Sequence, residues 1–217
     1  MSSDRPIALE DRNMENGRLF SPSAARNLSA IMSAFADFGL TRGRVLEVGS
    51  GTGEHAAHLV KAHPELQWVA SDPDHGSRAS CAAWADRFQI ADRMSAHHID
   101  ARETGDIGQH GPFDLIYSSN VIHISPIEVM KSVFALAGEH LQPTGQLAFY
   151  GPFSRNGEHN SDGNANFDVS LKSRNPEWGV RDIEHHLMPE AEKSRLVLSE
   201  LRDMPANNYF LVFKRAG

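Results

Sequence analysis

Three closely spaced glycines lie where a short apolar run gives way to a helical pattern. The segment reads LEVGSGTGE over residues 46–54, and Gly49, Ser50, Gly51 and Gly53 form its turn. Glycines let a ligand approach bare backbone, and the first N–H groups of a following helix are free to donate hydrogen bonds. The pattern therefore predicts a nucleotide-type binding turn. A dinucleotide fingerprint would need glycine in place of Glu54, which disfavours a nicotinamide-dependent oxidoreductase.

Carboxylates stand at the ends of the neighbouring apolar runs. Asp72 follows Gly53 by 19 residues, and Asp100 ends the next run in the sequence HIDA. An acidic side chain at the first of these positions can accept hydrogen bonds from a ribose diol. Either carboxylate alone could be a helix cap or a loop residue. Both of them beside a glycine turn favour a site for a nucleoside-containing cofactor.

Alternating elements must position these groups. An amphipathic helix begins near Ser23 and ends at Gly39, after a polar arm of about twenty residues. Strand-like and helix-like runs then alternate, which is typical of a parallel sheet with helices on both faces. The predicted strands are 44–48, 67–71, 94–99, 113–118 and 146–150, and the predicted helices are 54–63, 77–88 and 127–140.

The C-terminal part departs from this alternation. Residues 151–179 are rich in Gly, Asn, Ser and Pro, and a helix is expected over 181–193. The runs 195–201 and 208–214 are separated by too few residues for a helical crossover, so they predict an antiparallel pair. The expected fold class is α/β: a doubly wound, Rossmann-like, seven-stranded sheet with an antiparallel C-terminal hairpin.

Candidate catalytic residues follow the fourth predicted strand. Asn120 could accept a hydrogen bond from the substrate or line the path of the transferred group. His123, expected near a helix start, is the best candidate for a general base because histidine titrates near neutrality. The alternative for His123 is a packing or capping role. The unpatterned segment 151–179 is interpreted as a roof over the substrate. Its candidate substrate residues, with the end of the preceding strand, are Tyr150, Phe153, Asn164 and Phe167.

The turn and its strand-end carboxylates resemble motif I of the class I S-adenosylmethionine-dependent methyltransferases. A more specific resemblance, from about residue 16 to the end, is to the methyltransferase-like domain-of-unknown-function family of DUF-938 type. One departure is visible, because Ile127 stands where tryptophan is expected. The segments that carry this resemblance are 21–27, 49–56, 120–124, 150–153, 164–168, 178–182 and 204–208.

The resemblance implies S-adenosyl-L-methionine as the cofactor and gives roles to individual residues. Glu47 would act near the methionine amino group, and Asp72 would bind the ribose. Asp100 and the backbone at Ala101 would contact the adenine. The remaining cofactor-side candidates are Arg26, for the methionine carboxylate, with Asn27, His55 and Asn120.

Composition and charge exclude several classes of protein. The chain has 217 residues and a formal net charge of −7, which argues against nucleic-acid and anionic-membrane partners. It shows no signal peptide or membrane span, and the single Cys81 is compatible with a reducing, cytoplasmic location. Adjacent histidines such as His97 and His98 cannot easily share one ion, so no metal site is expected.

The sequence therefore predicts a single methyltransferase domain over residues 1–217, with an N-terminal arm and covering helix in 1–40 and the substrate roof in 151–179. It would transfer a methyl group to oxygen or nitrogen of a small molecule, as a monomer or homodimer. The alternative is a non-catalytic S-adenosylmethionine-binding adapter or sensor. Methylation of nucleic acids is disfavoured by the acidic charge and by Ser118-Ser119-Asn120-Val121, which lacks the Asp/Asn-Pro-Pro-Tyr signature.

Overall fold

The computed structural model describes residues 12–217. Internal contacts divide the chain into two compact units, the first ending at Asp100 and the second spanning Ala101–Gly217. Residues 1–11 of the predicted N-terminal arm lie outside the described residues. The assignment of residues 1–217 to one methyltransferase domain stays a prediction.

The helices and strands alternate through most of the chain. In order they are β1 (Asn13–Glu15), β2 (Arg18–Phe20), α1 (Pro22–Asp37), β3 (Gly43–Val48), α2 (Glu54–Ala62), β4 (Leu66–Ser71), α3 (His75–Phe88), β5 (Met94–His97), β6 (Phe113–Ser119), α4 (Ile127–His140), β7 (Leu141–Gly151), β8 (Phe153–Arg155), β9 (Glu158–His159), α5 (Asp162–Arg174), β10 (Arg181–Asp182), α6 (Met188–Lys193), β11 (Leu196–Met204) and β12 (Asn208–Arg215).

Parallel strands β3, β4 and β5 form the sheet of the first unit. Helix α1 begins where predicted because Pro22 occupies its first turn and the Ser21 hydroxyl accepts a hydrogen bond from the Ala24 N–H. Ile31 and Phe35 on one face of α1 are completely buried. The predicted helices and strands of this unit are confirmed to within a few residues.

The described part of the N-terminal arm is an ordered β1–β2 hairpin and not the loose segment that its polarity predicts. The Leu19 N–H donates to Ser80 Oγ at 2.7 Å, and Trp84 Nε1 donates to the Leu19 carbonyl at 3.3 Å. The Phe20 ring meets the edge of Trp84 at 5.1 Å between centroids. The turn of the hairpin is Asn16-Gly17, with φ of 49° and 78°, a local hairpin signal that the sequence analysis did not use. The contacts that hold the hairpin in place come from α3, about 60 residues later in the chain, and have no local signal.

In the second unit, β6 and β7 are parallel, and β12 pairs antiparallel with both β7 and β11. The predicted antiparallel C-terminal hairpin is therefore confirmed, and α4 has the predicted bounds. Strand β7 begins at Leu141 and not at the predicted residue 146, and its first part runs through Pro143.

The central sheet has seven strands, which follow the order β3-β4-β5 in the first unit and β11-β12-β7-β6 in the second. This order confirms the predicted seven-stranded, doubly wound α/β class. No helix in residues 12–217 has the length and apolar character needed to cross a membrane.

Segment 151–179 contains a helix that the sequence analysis missed. Helix α5 is capped by Ser161, whose hydroxyl accepts from the Asn164 N–H. Its buried residues, Asn164, Asp168 and Leu171, have helical spacing, but two of the three are polar. The helical spacing of these residues is therefore not visible when only the apolar residues are considered. Strands β10, β8 and β9 form a separate small sheet.

The single helix predicted over 181–193 is confirmed only in part. Arg181 and Asp182 form strand β10, a π-helical turn covers Ile183–Leu187, and α6 follows. The Asp182 carboxylate accepts hydrogen bonds from Ser154 Oγ and from the Gly157 and His185 N–H groups. These partners fix the start of this segment as extended chain.

Candidate functional site

The glycines of the turn after β3 have different structural roles. Gly51 and Gly53 both have left-handed backbone, with φ of 56° and 77°. A Cβ at Gly53 would lie 2.7 Å from Cys81 Sγ and 2.9 Å from Cys81 Cα, so glycine there permits close packing against α3. A Cβ at Gly51 would meet only the Arg12 guanidinium, at 3.5 Å. Among the described residues, the backbone at Gly51 is therefore more open to a ligand than the backbone at Gly53.

The turn is held against β4 by two serines. The Gly49 and Ser50 N–H groups donate to the Ser71 carbonyl at 2.9 Å each, and the Ser71 N–H donates back to Ser50 Oγ at 3.0 Å. The Ser71 hydroxyl donates to the Glu47 carbonyl at 2.6 Å. These bonds make the turn rigid before any ligand arrives.

Asp72 is tied directly to the glycine turn. Its Oδ2 accepts from the Gly51 N–H at 3.0 Å, and its Oδ1 accepts from the Asp74 N–H at 2.9 Å. Burial raises the pKa of this carboxyl, which is 9% exposed, while the two N–H donors oppose that rise. Each carboxylate oxygen retains a further lone pair that could accept from a ribose hydroxyl.

Glu47 is a buried carboxyl at the foot of the turn. Burial raises its pKa to about 7, against the opposing effect of hydrogen bonds from Ser50 and from Trp68. Trp68 Nε1 donates to Glu47 Oε2 at 3.1 Å. A carboxyl with this pKa changes charge near neutral pH and would bind a cationic group more strongly when ionised.

Glu54 is a further acidic residue at this site, and the sequence analysis used it only to exclude a dinucleotide fingerprint. It is the first residue of α2, it is buried, and its Oε2 has no hydrogen-bond partner among residues 12–217. Burial raises its pKa. An orphaned buried carboxylate oxygen beside open glycine backbone fits a ligand that carries hydrogen-bond donors or positive charge.

The other predicted cofactor residues occupy varied surroundings. His55 is half-buried, desolvation lowers its pKa, and its Nε2 lies 2.9 Å from the Ala24 carbonyl, which ties α2 to α1. Arg26 is exposed on α1 and Asn27 is half-buried one residue later. Asp100 is half-buried after β5, and Ala101 is buried at the start of the second unit. Glu47, the turn and Asp72 are the predicted residues that the first unit brings together.

In the second unit, the ends of β6 and β7 bring three predicted positions together. Asn120 has φ of 57°, and its N–H donates to the Tyr150 carbonyl at 2.9 Å. A Cβ at Gly151 would lie 3.3 Å from Asn120 Oδ1 and 3.8 Å from His123 Nδ1. Asn120 and His123 are therefore neighbours at the end of the strands, as their roles require.

His123 lies in a turn and not at the predicted helix start. Helix α4 begins four residues later, at Ile127, because Pro126 disfavours helical backbone at Ser125. The imidazole is buried, and its edge contacts the Phe167 ring at 5.6 Å between centroids. Burial, with a smaller effect from the Arg181 guanidinium, lowers the His123 pKa to about 3.

Arg181 holds this turn in place, and the sequence analysis assigned it no role. Its Nε donates to the Ile122 carbonyl at 3.0 Å, and its NH2 group donates to the carbonyls of Ser125 at 2.7 Å and Glu177 at 2.8 Å. The His123 carbonyl itself accepts from the Gly179 N–H at 3.0 Å. The signal that the sequence offered for Arg181 was its place in segment 178–182, which carries the family resemblance.

Three of the four predicted substrate residues are buried and already engaged. The Tyr150 hydroxyl accepts from Asn208 Nδ2 at 3.1 Å, and burial raises the Tyr150 pKa to about 12. Phe153 is 1% exposed. Asn164 Nδ2 donates to Asn160 Oδ1 and to the Asn207 carbonyl at 2.8 Å each. Phe167, half-buried, is the predicted substrate residue with a ring contact to His123.

Comparison with known families assigns the chain. Residues 18–215 match the model of a family described as "Protein of unknown function (DUF938)". The chain belongs to the DUF938 family. This match confirms the resemblance found from the sequence segments and extends over nearly all of the DUF938 protein.

Solved structures confirm the methyltransferase fold of the DUF938 protein. An O-methyltransferase family protein from Burkholderia thailandensis superimposes with a TM-score of 0.76 at 14% identity, over 90% of this chain and 58% of that chain. The mitomycin 7-O-methyltransferase MmcR has a TM-score of 0.74 at 17% identity, over 89% and 55%.

A third similar structure was solved with S-adenosylhomocysteine bound. It is CalO1, a methyltransferase in calicheamicin biosynthesis, with a TM-score of 0.70 at 17% identity, over 89% of this chain and 54% of that chain. The DUF938 protein thus spans a little more than half the length of these three structures. At such identities the likeness establishes the fold.

Proposed function

We propose that this protein is an S-adenosylmethionine-dependent methyltransferase that methylates oxygen or nitrogen of a small molecule. The observation that carries the proposal is the first-unit site: a rigid glycine turn bonded to Asp72, with Glu47 and the orphaned Glu54 Oε2 beside it. The methyltransferase fold supports it. A small-molecule acceptor, the absence of nucleic-acid and membrane partners, a monomeric or dimeric state and a cytoplasmic location are proposed with it.

The first-unit residues fit this cofactor by charge and hydrogen bonding. S-adenosylmethionine supplies an electrophilic methyl group on a sulfonium. Asp72 would accept from the ribose hydroxyls, and Asp100 from the adenine amino group. Glu47 and Glu54 would offset the positive charge of the methionyl portion. The open backbone at Gly51 leaves room for close approach.

The second unit supplies the acceptor-side candidates. His123 is the candidate base and is neutral at physiological pH, but burial lowers its pKa to about 3 and makes it a weaker base than the neutral titration predicted from the sequence. Asn120 would orient the acceptor, and Phe167 would supply an apolar surface next to the imidazole. Positioning of the nucleophile supplies most of the rate enhancement in a displacement of this kind.

Titration calorimetry tests the proposal. We expect the chain to bind S-adenosylmethionine and S-adenosylhomocysteine with micromolar dissociation constants and to show no binding of NADH. Asp72→Ala should weaken both by about tenfold to a hundredfold, the loss expected for a charged hydrogen-bond acceptor. The matched control is Asp86→Ala, an exposed carboxylate on α3. Binding of NADH, or silence from both sulfur compounds with folded protein, would refute the proposal.

The second candidate is a non-catalytic S-adenosylmethionine-binding adapter or sensor. The low pKa of His123 favours it, because a base with such an acidic conjugate acid gains little from taking a proton. A screen of hydroxyl and amine acceptors, read out by S-adenosylhomocysteine release, separates the two functions. Turnover that falls in His123→Ala supports the enzyme, whereas cofactor binding without turnover across the screen supports the adapter.

A further inference from the structure

Arg12 lies beside the open face of the glycine turn. One terminal nitrogen of its guanidinium is 3.5 Å from the position of a Cβ on Gly51, and the other donates to Ser77 Oγ at 3.2 Å. Burial raises the pKa of Asp72, and the positive charge of Arg12 makes a small contribution that opposes this rise. The guanidinium is therefore next to the two residues that define the candidate cofactor site.

The β1–β2 hairpin anchors the chain that follows Arg12. The contacts that fix it to α3 include the hydrogen bond to Ser80, the hydrogen bond from Trp84, and the Arg18 guanidinium lying 4.9 Å from the Trp84 ring centroid. Gly17 at the hairpin turn lies close to Ala83, since a Cβ there would be 3.3 Å from Ala83 Cβ. The hairpin thus acts as a strap across α3 that delivers Arg12 to the turn.

The charges around the turn show which part of the cofactor suits Arg12. Glu47, Glu54 and Asp72 are acidic, and they match the ammonium, the sulfonium and the hydroxyl donors of S-adenosylmethionine. The cofactor carries one anionic group, the methionine carboxylate. A guanidinium presents paired N–H donors that suit a carboxylate in particular. Arg26, the sequence-based candidate for this role, is instead exposed on α1.

We infer that Arg12, held by the β1–β2 strap, binds the methionine carboxylate of S-adenosylmethionine. The inference rests on the proposed function and adds a residue to its cofactor site. It also gives the strap a role, because chain N-terminal to the methyltransferase core closes over the cofactor.

The test compares three ligands by calorimetry on the full chain: S-adenosylmethionine, S-adenosylhomocysteine and decarboxylated S-adenosylmethionine. The last lacks the carboxylate and keeps both positive groups. Arg12→Ala should reduce the affinity for S-adenosylmethionine and S-adenosylhomocysteine by about tenfold to a hundredfold. It should leave the affinity for decarboxylated S-adenosylmethionine within about twofold of that of wild type. Arg87→Ala, which removes an exposed arginine from α3, should leave all three unchanged.

Arg12→Gln separates the charge from the anchoring of the strap. Its amide keeps a polar side chain with N–H donors but carries no charge, so it should show the same selective loss as Arg12→Ala. The inference would be overturned if both variants bound all three ligands with equally reduced affinity, or if neither variant bound any of them more weakly than wild type. In either case, binding by the wild-type protein would still support the cofactor site. Wild-type protein that binds none of the three would refute the proposed function itself.

Discussion

The glycine turn and the His123 turn are built in opposite ways. The first is almost local: residues 47–54 form it, with support from Ser71 and Asp72 at the end of the next strand. The second gathers His123, Phe167, Gly179 and Arg181 from segments spread over nearly sixty residues. A local site is marked by its own sequence, whereas a gathered site depends on distant chain for its shape and its electrostatics.

Removing Arg181 should have the largest effect and would show how far the His123 turn depends on distant chain. Arg181→Met leaves the carbonyls of Ile122, Ser125 and Glu177 without their donor, so we expect a loss of about 3 kcal/mol or more in the free energy of unfolding. The His123 pKa should also rise, because a nearby positive charge is removed. Urea denaturation and a histidine NMR titration measure the two effects.

The control for Arg181 is Arg155→Met in the same unit. Arg155 pairs with Glu184 at 2.8 Å but is exposed, so its loss should cost less than about 1 kcal/mol. Equal stability losses in the two variants would contradict the view that Arg181 organises the turn.

Replacing Gly51 or Gly53 by alanine should change the free energy of unfolding by different amounts, although the two glycines are only two residues apart. Gly53→Ala places a Cβ 2.9 Å from the Cys81 backbone at positive φ, and we expect a loss of about 3 kcal/mol in unfolding free energy. Gly51→Ala adds only the conformational cost, about 1–2 kcal/mol. Urea denaturation of the two variants measures the difference in their free energies of unfolding. A similar loss in both would show that close packing against α3 is not the reason for glycine at position 53.

The smallest effect concerns the charge of Glu47. In the folded protein the pKa of Glu47 is about 7, above the 4.5 of an unfolded glutamate. The protonated carboxyl therefore contributes to stability below pH 4.5, and this contribution is lost as the pH rises through 7. Affinity for S-adenosylmethionine should change in the opposite sense and increase up to about tenfold from pH 6 to pH 8, as the carboxylate ionises. Calorimetry at both pH values tests this.

Glu47→Gln is the matched variant, because it keeps the size and hydrogen-bonding capacity of the side chain. It should remove the pH dependence of S-adenosylmethionine affinity. An unchanged dependence in Glu47→Gln would assign the titration to another group, with Glu54 and Asp72 the nearest candidates because burial raises the pKa of both.

Prediction from sequence succeeded where a pattern of residue types coincided with a local structure. The alternating apolar runs of the first unit, the helix α4 and the C-terminal hairpin are confirmed. Helix α5 was missed because its buried face contains Asn164 and Asp168. The helical segment predicted from residue 181 begins only at Ile183, because Asp182 bonds to Ser154 and Gly157 as extended chain. In both cases buried polar contacts decided the structure.

The sequence by itself determined the sheet, the glycine turn and the strand-end carboxylates, since their periodicity and spacing are properties of adjacent residues. Only the tertiary structure decided that Arg12 reaches the turn, that Glu54 is buried with an unpartnered oxygen, and that Arg181 holds the loop of His123. The physical reason is burial: the pKa values of Glu47 and His123 depend on the surrounding chain that removes water.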